Sequence, residues 1–306
     1  MSISTSYYFS QAARQMSELQ ASIAKIQTQL STGQQLTKAS DDPVKATAVL
    51  RLNTAIARQD SYASTLAIVG DRLQAEEATV KSASDAMTRV KELALRASND
   101  TYGAADRASI AAELSSLGEE LIALASTRDI HGNFLFSGTR VSQSPFAEAG
   151  AGEIAYVGDQ TSVRVAVGEQ REMSANRPGT EVFVAATRDD RGSPAKVGFF
   201  EVLDDLIGAV KSADRAGLQR GIGEIDQLNA GLSYGLSRIG ADLNVVDAQK
   251  RQIDDTKLRL QTTLSALADV DYAQTITNLQ KESLGLQAIQ SSFAKTSGLN
   301  LFNYLK

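Results

Sequence analysis

The sequence predicts a mainly α-helical fold: a long antiparallel helical bundle or coiled-coil rod formed by the N- and C-terminal regions, with a small β-rich inserted domain. Three observations predict it. Apolar residues recur at spacings of three and four near both ends of the chain. The middle of the chain changes to glycine, valine, phenylalanine and turn residues. Aromatic residues make up only 6% of the 306 residues and Trp is absent, which suits long helices packed through thin apolar seams.

The composition argues against several classes of function. The net charge is −5 and no run of Lys and Arg stands out, so no nucleic acid is expected as a partner. No stretch reaches the roughly 18 to 20 apolar residues of a membrane span, so no membrane is expected either. There are no cysteines, which removes disulfides, thiolate catalysis and Cys-ligated zinc. The first residues lack the basic and apolar regions of a cleaved signal peptide, so secretion would need another route.

The first helix is predicted from a regular apolar seam that stops at Ser31-Thr32-Gly33. Gly33 can supply the positive φ that ends a helix. Polar Gln, Ser and Lys residues occupy the other faces. The seam residues are Phe9, Ala12, Met16, Leu19, Ile23, Ile26 and Leu30.

A second helix is predicted to restart after Ala39-Ser40-Asp41-Asp42-Pro43. Ser40 is the expected N-cap, the two aspartates favour the positive end of the helix dipole, and Pro43 fits the first turn. The helix runs to about residue 97, where Ser98-Asn99-Asp100 and Gly103 interrupt it, and another follows over residues 105–126. The apolar positions include Leu50, Leu66, Val69, Leu73, Val80, Met87, Val90 and Leu93, followed by Ile110, Leu114, Leu117, Leu121 and Leu124.

The character of the chain changes at residue 133, and residues 133–196 are predicted to form the β-rich insert. Residues 153–157 and 162–167 alternate as strands do. Helix returns at about residue 197, and the chain bends again at residues 268–271. The long C-terminal seam contains Ile239, Leu243, Val246, Ile253, Leu260, Leu264 and Leu267, and the last helix carries Ile276, Leu279, Leu286, Ile289 and Phe293.

This layout predicts three domains. Residues 1–40 with 268–306 form a terminal coiled-coil assembly domain, residues 41–132 with 197–267 form a helical rod, and residues 133–196 form the insert. Antiparallel pairing of the two ends would bring both termini to one end of the rod.

No residue pattern indicates catalysis, a cofactor or a metal. The single histidine, His131, lacks a recognisable carboxylate and nucleophile partner, so a structural role is favoured. Pairs such as Asp41-Asp42 and Asp254-Asp255 lack the ligand spacing and turn glycine of a calcium loop. A hydrolase or metal-dependent enzyme in the insert is therefore a disfavoured alternative, and the chain is not expected to be an enzyme.

The terminal seams are the candidate functional feature. An ordinary intramolecular bundle would explain heptads equally well. Their position at the two chain ends and their neutral polar faces favour burial against other subunits instead. The apolar C-terminal tail would also invite aggregation before assembly, so we expect an export chaperone to cover it. The predicted assembly interface comprises Phe9, Met16, Leu19, Ile23, Ile26, Leu30, Ile276, Leu279, Leu286, Ile289, Phe293, Leu301, Phe302, Tyr304 and Leu305.

Two sets of residues resemble the flagellin superfamily: Gln29-Leu30-Ser31-Thr32-Gly33 with Ala39-Ser40-Asp41-Asp42-Pro43, and the run from Asp269-Val270-Asp271-Tyr272 through Gln287-Ala288 to Leu301-Phe302-Asn303-Tyr304-Leu305. Within that superfamily, the hook-associated junction proteins are most similar in three places: Asp42-Pro43, Gly132-Asn133-Phe134-Leu135-Phe136-Ser137-Gly138 and the ending Leu301-Phe302-Asn303-Tyr304-Leu305.

The resemblance implies a structural adaptor of the bacterial flagellum at the hook–filament junction. It implies unfolded secretion by the flagellar type III apparatus and a homo-oligomeric ring outside the cell. The ring would contact a neighbouring hook-associated protein on the hook side and flagellin on the filament side. The alternative that stays open is a flagellin-type filament subunit.

Overall fold

A computed structural model describes residues 2–99, 101–150, 153–190 and 193–302, and side chains over 7–99, 101–150, 153–189 and 194–296. Long helices dominate, with a small strand region between them, so the predicted fold class is confirmed. In the described part of the chain the α-helices are α1 (Ser2–Thr32), α2 (Pro43–Ala97), α3 (Ala104–Ala125), α4 (Phe199–Ser212), α5 (Arg215–Ala268) and α6 (Tyr272–Phe302).

The strands in the described residues form three antiparallel two-stranded hairpins. In register, Phe146 lies opposite Tyr156, Val165 opposite Met173, and Arg188 opposite Ala195. Both stretches predicted from alternation contain a strand. The strands are β1 (Phe146–Glu148), β2 (Ile154–Tyr156), β3 (Arg164–Ala166), β4 (Glu172–Ser174), β5 (Ala186–Asp190) and β6 (Ser193–Val197).

The helix ends follow the sequence signals with two differences. Gly33 has φ +70° directly after α1, as predicted. The N-cap of α2 is Asp42, whose Oδ1 accepts the Lys45 backbone N–H at 2.9 Å, so the expectation of Ser40 was wrong. Pro43 at the first helical position left only the residue before it able to cap. The break at Ala213, with φ +57° between α4 and α5, was not predicted.

The chain falls into two compact units. Unit 1 contains residues 1–59 and 255–306, and unit 2 contains residues 60–254. The boundary lies inside α2 and α5. The three-domain division stays a prediction.

Unit 2 has a continuous apolar core to which four helices, α2 to α5, and the strand region contribute. Val80 and Met87 of α2, Leu121 of α3 and Leu232 of α5 are fully buried in it, as is Phe136 of the strand region. Phenylalanine rings cluster where α4 meets the strands. The Phe183 ring lies 5.4 Å from Phe136, 5.6 Å from Phe146 and 5.3 Å from Phe199, each edge to face. Edge-to-face pairs add to the stabilisation that burial already gives.

The segment that resembles the junction proteins, residues 132–138, begins in an exposed turn and then enters this core. Leu135, Phe136 and Ser137 are fully buried. Gly138 has φ +67°, and a Cβ there would overlap the Asp159 carbonyl. Both the backbone conformation and the close approach require glycine.

None of the helices that the structure describes is long and apolar enough to cross a membrane.

Candidate assembly interface

Helices α1 and α6 pair along their length in unit 1. The rings of Phe9 and Phe293 meet edge to face with centroids 5.2 Å apart. Further along, a Cβ on Gly285 would lie 4.0 Å from Leu19 Cδ1, and a Cβ on Gly33 would lie 3.0 Å from the Tyr272 hydroxyl. Partner numbers fall in α6 as they rise in α1, so the helices are antiparallel.

Most of the predicted interface residues of α1 and α6 are partly exposed. Ile26 is buried, and Ile276 is 44% exposed. The rest have intermediate exposure: Phe9, Met16, Leu19, Ile23, Leu30, Leu279, Leu286, Ile289 and Phe293. The pairing of α1 with α6 uses part of the apolar surface of the seam and leaves part of it accessible. Their role in contacts between subunits stays a prediction.

The C-terminal members of the predicted interface cannot be placed in this way. Leu301 and Phe302 lie in α6, but their side chains are outside the described residues. Tyr304 and Leu305 lie wholly outside them.

Sequence reasoning missed two exposed apolar residues of α6. Tyr272 is 53% exposed and Leu284 is 68% exposed. At about 100° per residue, Leu284 lies on the side of the helix opposite Leu286 and Phe293, so the predicted seam did not include it.

Leu50 also departs from expectation. It shared a face with the buried residues of α2 in the sequence pattern, yet it is 67% exposed. With Leu36, Ala46 and Val49 it lines an open groove of about 370 Å³. Unit 1 therefore displays apolar surface on α2 as well as on α6.

Two of the breaks between helices, residues 33–42 and 269–271, meet in space. Gln34 and Asp269 form an antiparallel bridge. The Val270 N–H donates to the Gly33 carbonyl at 3.0 Å, and the Gln35 N–H donates to the Ala268 carbonyl at 2.7 Å. The N-terminal and C-terminal segments that carried the superfamily resemblance thus meet in one hydrogen-bonded corner of unit 1.

The Asp41 side chain stabilises this corner. The Thr37 hydroxyl donates to its Oδ2 at 2.8 Å, and Lys25 Nζ of α1 lies 3.2 Å from its Oδ1. These two side chains, with the Lys38 backbone N–H, stabilise the carboxylate and lower the pKa of Asp41. The aspartate therefore ties the loop before α2 back to α1.

In unit 2 an ionic network joins the strand region to the helices. Arg177, buried on the segment after β4, lies 3.2 Å from Glu76 of α2 and 2.7 Å from Asp242 of α5. Arg72 lies 3.4 Å from Glu76 and donates to the Leu135 carbonyl at 2.5 Å. Burial raises the pKa of Glu76, and the two arginines oppose that shift. Glu76 without Arg177 would keep only one of its two cations.

His131 is exposed in a turn, and its backbone N–H donates to Asp129 Oδ1 at 2.8 Å. Among the residues whose side chains are described, no group of three or more His, Asp or Glu could hold a metal ion.

Comparison with known proteins matches both ends of the chain to flagellin families. The model of the bacterial flagellin N-terminal helical region covers residues 3–141, and that of the C-terminal helical region covers residues 222–305. Flagellar hook-associated protein 3 of Escherichia coli is 29% identical over the whole of both chains. Flagellin FlaB1 of Treponema pallidum is 25% identical over 96% of both.

A similar fold occurs in the flagellar junction protein FlgL from Legionella pneumophila. Its TM-score is 0.62 at 16% identity, over 72% of this chain and 100% of that one. At this identity the likeness concerns the fold alone.

Proposed function

This chain belongs to the flagellin superfamily, and from that premise we propose that it is a structural subunit of the bacterial flagellum at the hook–filament junction. Full-length similarity to a hook-associated protein supports the junction over other positions in the flagellum. No chemical step is assigned to it, and its work is to connect two protein assemblies.

The observation that carries the proposal is the half-buried seam between α1 and α6. A helix pair that satisfied its own apolar surface would bury these residues fully, as unit 2 does with its core. Here Leu19, Ile23 and Leu286 keep intermediate exposure, and Leu284 on the other side of α6 is 68% exposed. Fully burying a large apolar side chain stabilises the buried state by about 1.5–3 kcal/mol. Contact with neighbouring subunits that covers this surface would therefore stabilise the assembly.

The partners follow from that location. The chain forms a closed ring of identical copies, with a neighbouring hook-associated protein on the hook side and flagellin on the filament side. It leaves the cell through the flagellar type III apparatus, and an export chaperone covers its apolar C-terminal region before assembly. The ring is extracellular.

A second candidate is a filament subunit, because both family models describe flagellins and FlaB1 matches nearly the whole chain. The two candidates differ in what their loss leaves behind. A junction subunit is needed only where the filament begins, whereas a filament subunit is the bulk of the filament.

Electron microscopy of a strain lacking this gene separates them. We expect hooks without filaments and unpolymerised flagellin in the medium, and both defects should disappear when the gene is restored. Hooks without filaments and without secreted flagellin, together with polymerisation of the purified chain into filaments, would favour the filament subunit. Normal filaments in the deletion strain would refute both.

A further inference from the structure

A preformed turn in unit 2 displays an isoleucine to solvent. Ile130 is 86% exposed, the most exposed large apolar residue among those described. It follows Asp129, whose Oδ1 accepts the backbone N–H groups of His131 at 2.8 Å and Asn133 at 2.9 Å. The Asp129 N–H donates to the Asn133 carbonyl at 2.8 Å, and the Gly132 N–H donates to the Asp129 carbonyl at 2.9 Å. The side chain is thus held out by a turn with its own hydrogen bonds.

The turn is also anchored at its base. The Arg128 guanidinium lies 4.0 Å from the centroid of the Phe134 ring and donates to the Gly132 carbonyl at 3.0 Å. Arg72 of α2 lies 3.7 Å from Asp129. A rigid turn loses little conformational entropy on binding, so its exposed side chain is suited to insert into a groove of another molecule. We call residues 128–134 the Ile130 turn.

Unit 2 also contains a groove that its own side chains leave open. It lies between α3 and α4 and has a volume of about 270 Å³. Its apolar wall includes Ile122, Ile154, Leu203 and Ile207, and Ser115 and Gly118 of α3 keep it wide. We call it the α3–α4 groove.

Gly118 is unexplained by packing within the chain. A Cβ at this position would meet nothing within 4 Å, so no neighbouring atom requires a glycine. Glycine inside a helix is destabilising relative to alanine. The space above it has room for a side chain from another molecule.

The charges of the two surfaces are complementary. Glu119 and Asp204 belong to the groove, and neither forms an ion pair with a described residue. Burial and the neighbouring Asp205 raise the pKa of Asp204, and Lys211 opposes the shift. The Ile130 turn carries the cation of Arg128 and the imidazole of His131. A cation brought to Asp204 would offset the repulsion from Asp205.

We propose that the Ile130 turn of one copy inserts into the α3–α4 groove of the next copy. The inference rests on the proposed ring and names one of its contacts. Two different surfaces of the same chain meet, so the contact is heterologous and can repeat around a closed ring. Ile130 fills the apolar wall beside Gly118, and Arg128 and His131 face Glu119 and Asp204.

The first test uses Gly118→Leu in the deletion strain, with Gly118→Ala and Gly223→Leu as matched variants. Gly223 is an exposed helical glycine that, like the partly buried Gly118, has nothing within 4 Å of a Cβ. All three should fold with equal or higher thermal stability, because helix propensity rises. We expect Gly118→Leu alone to lose filaments, since filling the groove weakens each contact by about tenfold or more. Normal filaments with a folded Gly118→Leu chain would overturn the inference while leaving the junction role intact, provided the unmodified gene restores filaments.

The second test uses the absence of cysteine from the chain. A variant with Ile130→Cys and Gly118→Cys should give a ladder of disulfide-linked oligomers in isolated flagella, and each single variant should give no ladder. If the double variant is assembled and stays monomeric under oxidising conditions, the contact does not exist. A cross-link from the cysteine introduced at position 130 only to a different flagellar protein would also overturn it, because the partner would then not be a second copy.

Discussion

Unit 2 buries its apolar side chains within one chain, whereas unit 1 leaves them half covered. Val80, Leu121 and Leu232 of unit 2 have no exposed surface, and both strands and helices contribute to that core. In unit 1 the antiparallel pairing of α1 with α6 leaves Met16, Leu19 and Leu286 partly accessible. Two helices packed against each other enclose less surface than the four helices and three hairpins described in unit 2.

The difference teaches where each unit obtains its stability. We expect unit 2 to fold before assembly, because its core is enclosed within one chain. On the proposed function, unit 1 obtains the rest of its burial from neighbouring subunits, since marginal helices of this kind are stabilised mainly by tertiary contacts. Stability and assembly should therefore respond to mutation in different units.

The largest expected effect is in the unit 2 core. Phe136→Ala removes a fully buried ring and should lower the free energy of unfolding of the monomer by about 3–5 kcal/mol. Denaturant unfolding followed by circular dichroism measures it. Ile276→Ala, at an exposed position in unit 1, is the control and should change unfolding little; equal losses in both variants would remove the distinction between the units.

The second largest effect is expected in the ionic network around Glu76. Arg177→Met leaves Glu76 with one fewer cation in a buried site and should cost about 3 kcal/mol. The control is Arg164→Met, since the Arg164–Glu172 pair is exposed and should contribute less than about 1 kcal/mol.

Combining Arg177→Met with Glu76→Gln sharpens this measurement. The double variant should be more stable than the sum of the single losses predicts, because the uncompensated charge is gone. Additive losses would mean that the two side chains do not act as a pair.

A smaller effect on the monomer is expected in the seam of unit 1. Leu19→Ala removes a half-buried side chain and should lower the free energy of unfolding of the free chain by about 1 kcal/mol or less, yet it should reduce filament formation.

We expect backbone amides of residues 19–30 to exchange much faster in the dilute monomer than those of unit 2. Strong protection of residues 19–30, comparable with that around Leu121, would show that unit 1 does not need neighbours.

The smallest effect concerns pH in unit 1. Because the pKa of Asp41 is lowered in the folded chain, its contribution to stability is present above the unfolded value of about 3.9. It is lost as the pH falls through the folded value. An NMR titration should place the Asp41 carboxylate below that of a model peptide, and Thr37→Val should raise it. An unchanged Asp41 titration in Thr37→Val would exclude the hydroxyl as the principal cause.

The sequence by itself determined the helices, the strand region and the ends of most elements, because these depend on local spacing, glycine and proline. Gly33 was sufficient to predict the end of α1, and Pro43 was sufficient to predict the start of α2. The alternation at residues 153–157 was sufficient to predict a strand there. The family was also accessible from short motifs at both ends. The cap at Asp42 and the turn at Ala213 depend on hydrogen bonds and a positive φ that neighbouring residue types only weakly signal.

Only the tertiary structure decided how completely each apolar position is covered. Leu50 and Leu66 belong to the same pattern on α2, yet Leu50 is 67% exposed and Leu66 is 2% exposed. Periodicity reports which side of a helix is apolar, but exposure depends on how many other elements pack against that side. The same reason explains why Arg177, Ile130 and Gly118 drew no attention in the sequence: their significance depends on partners, or on empty space, supplied by residues far away in the chain.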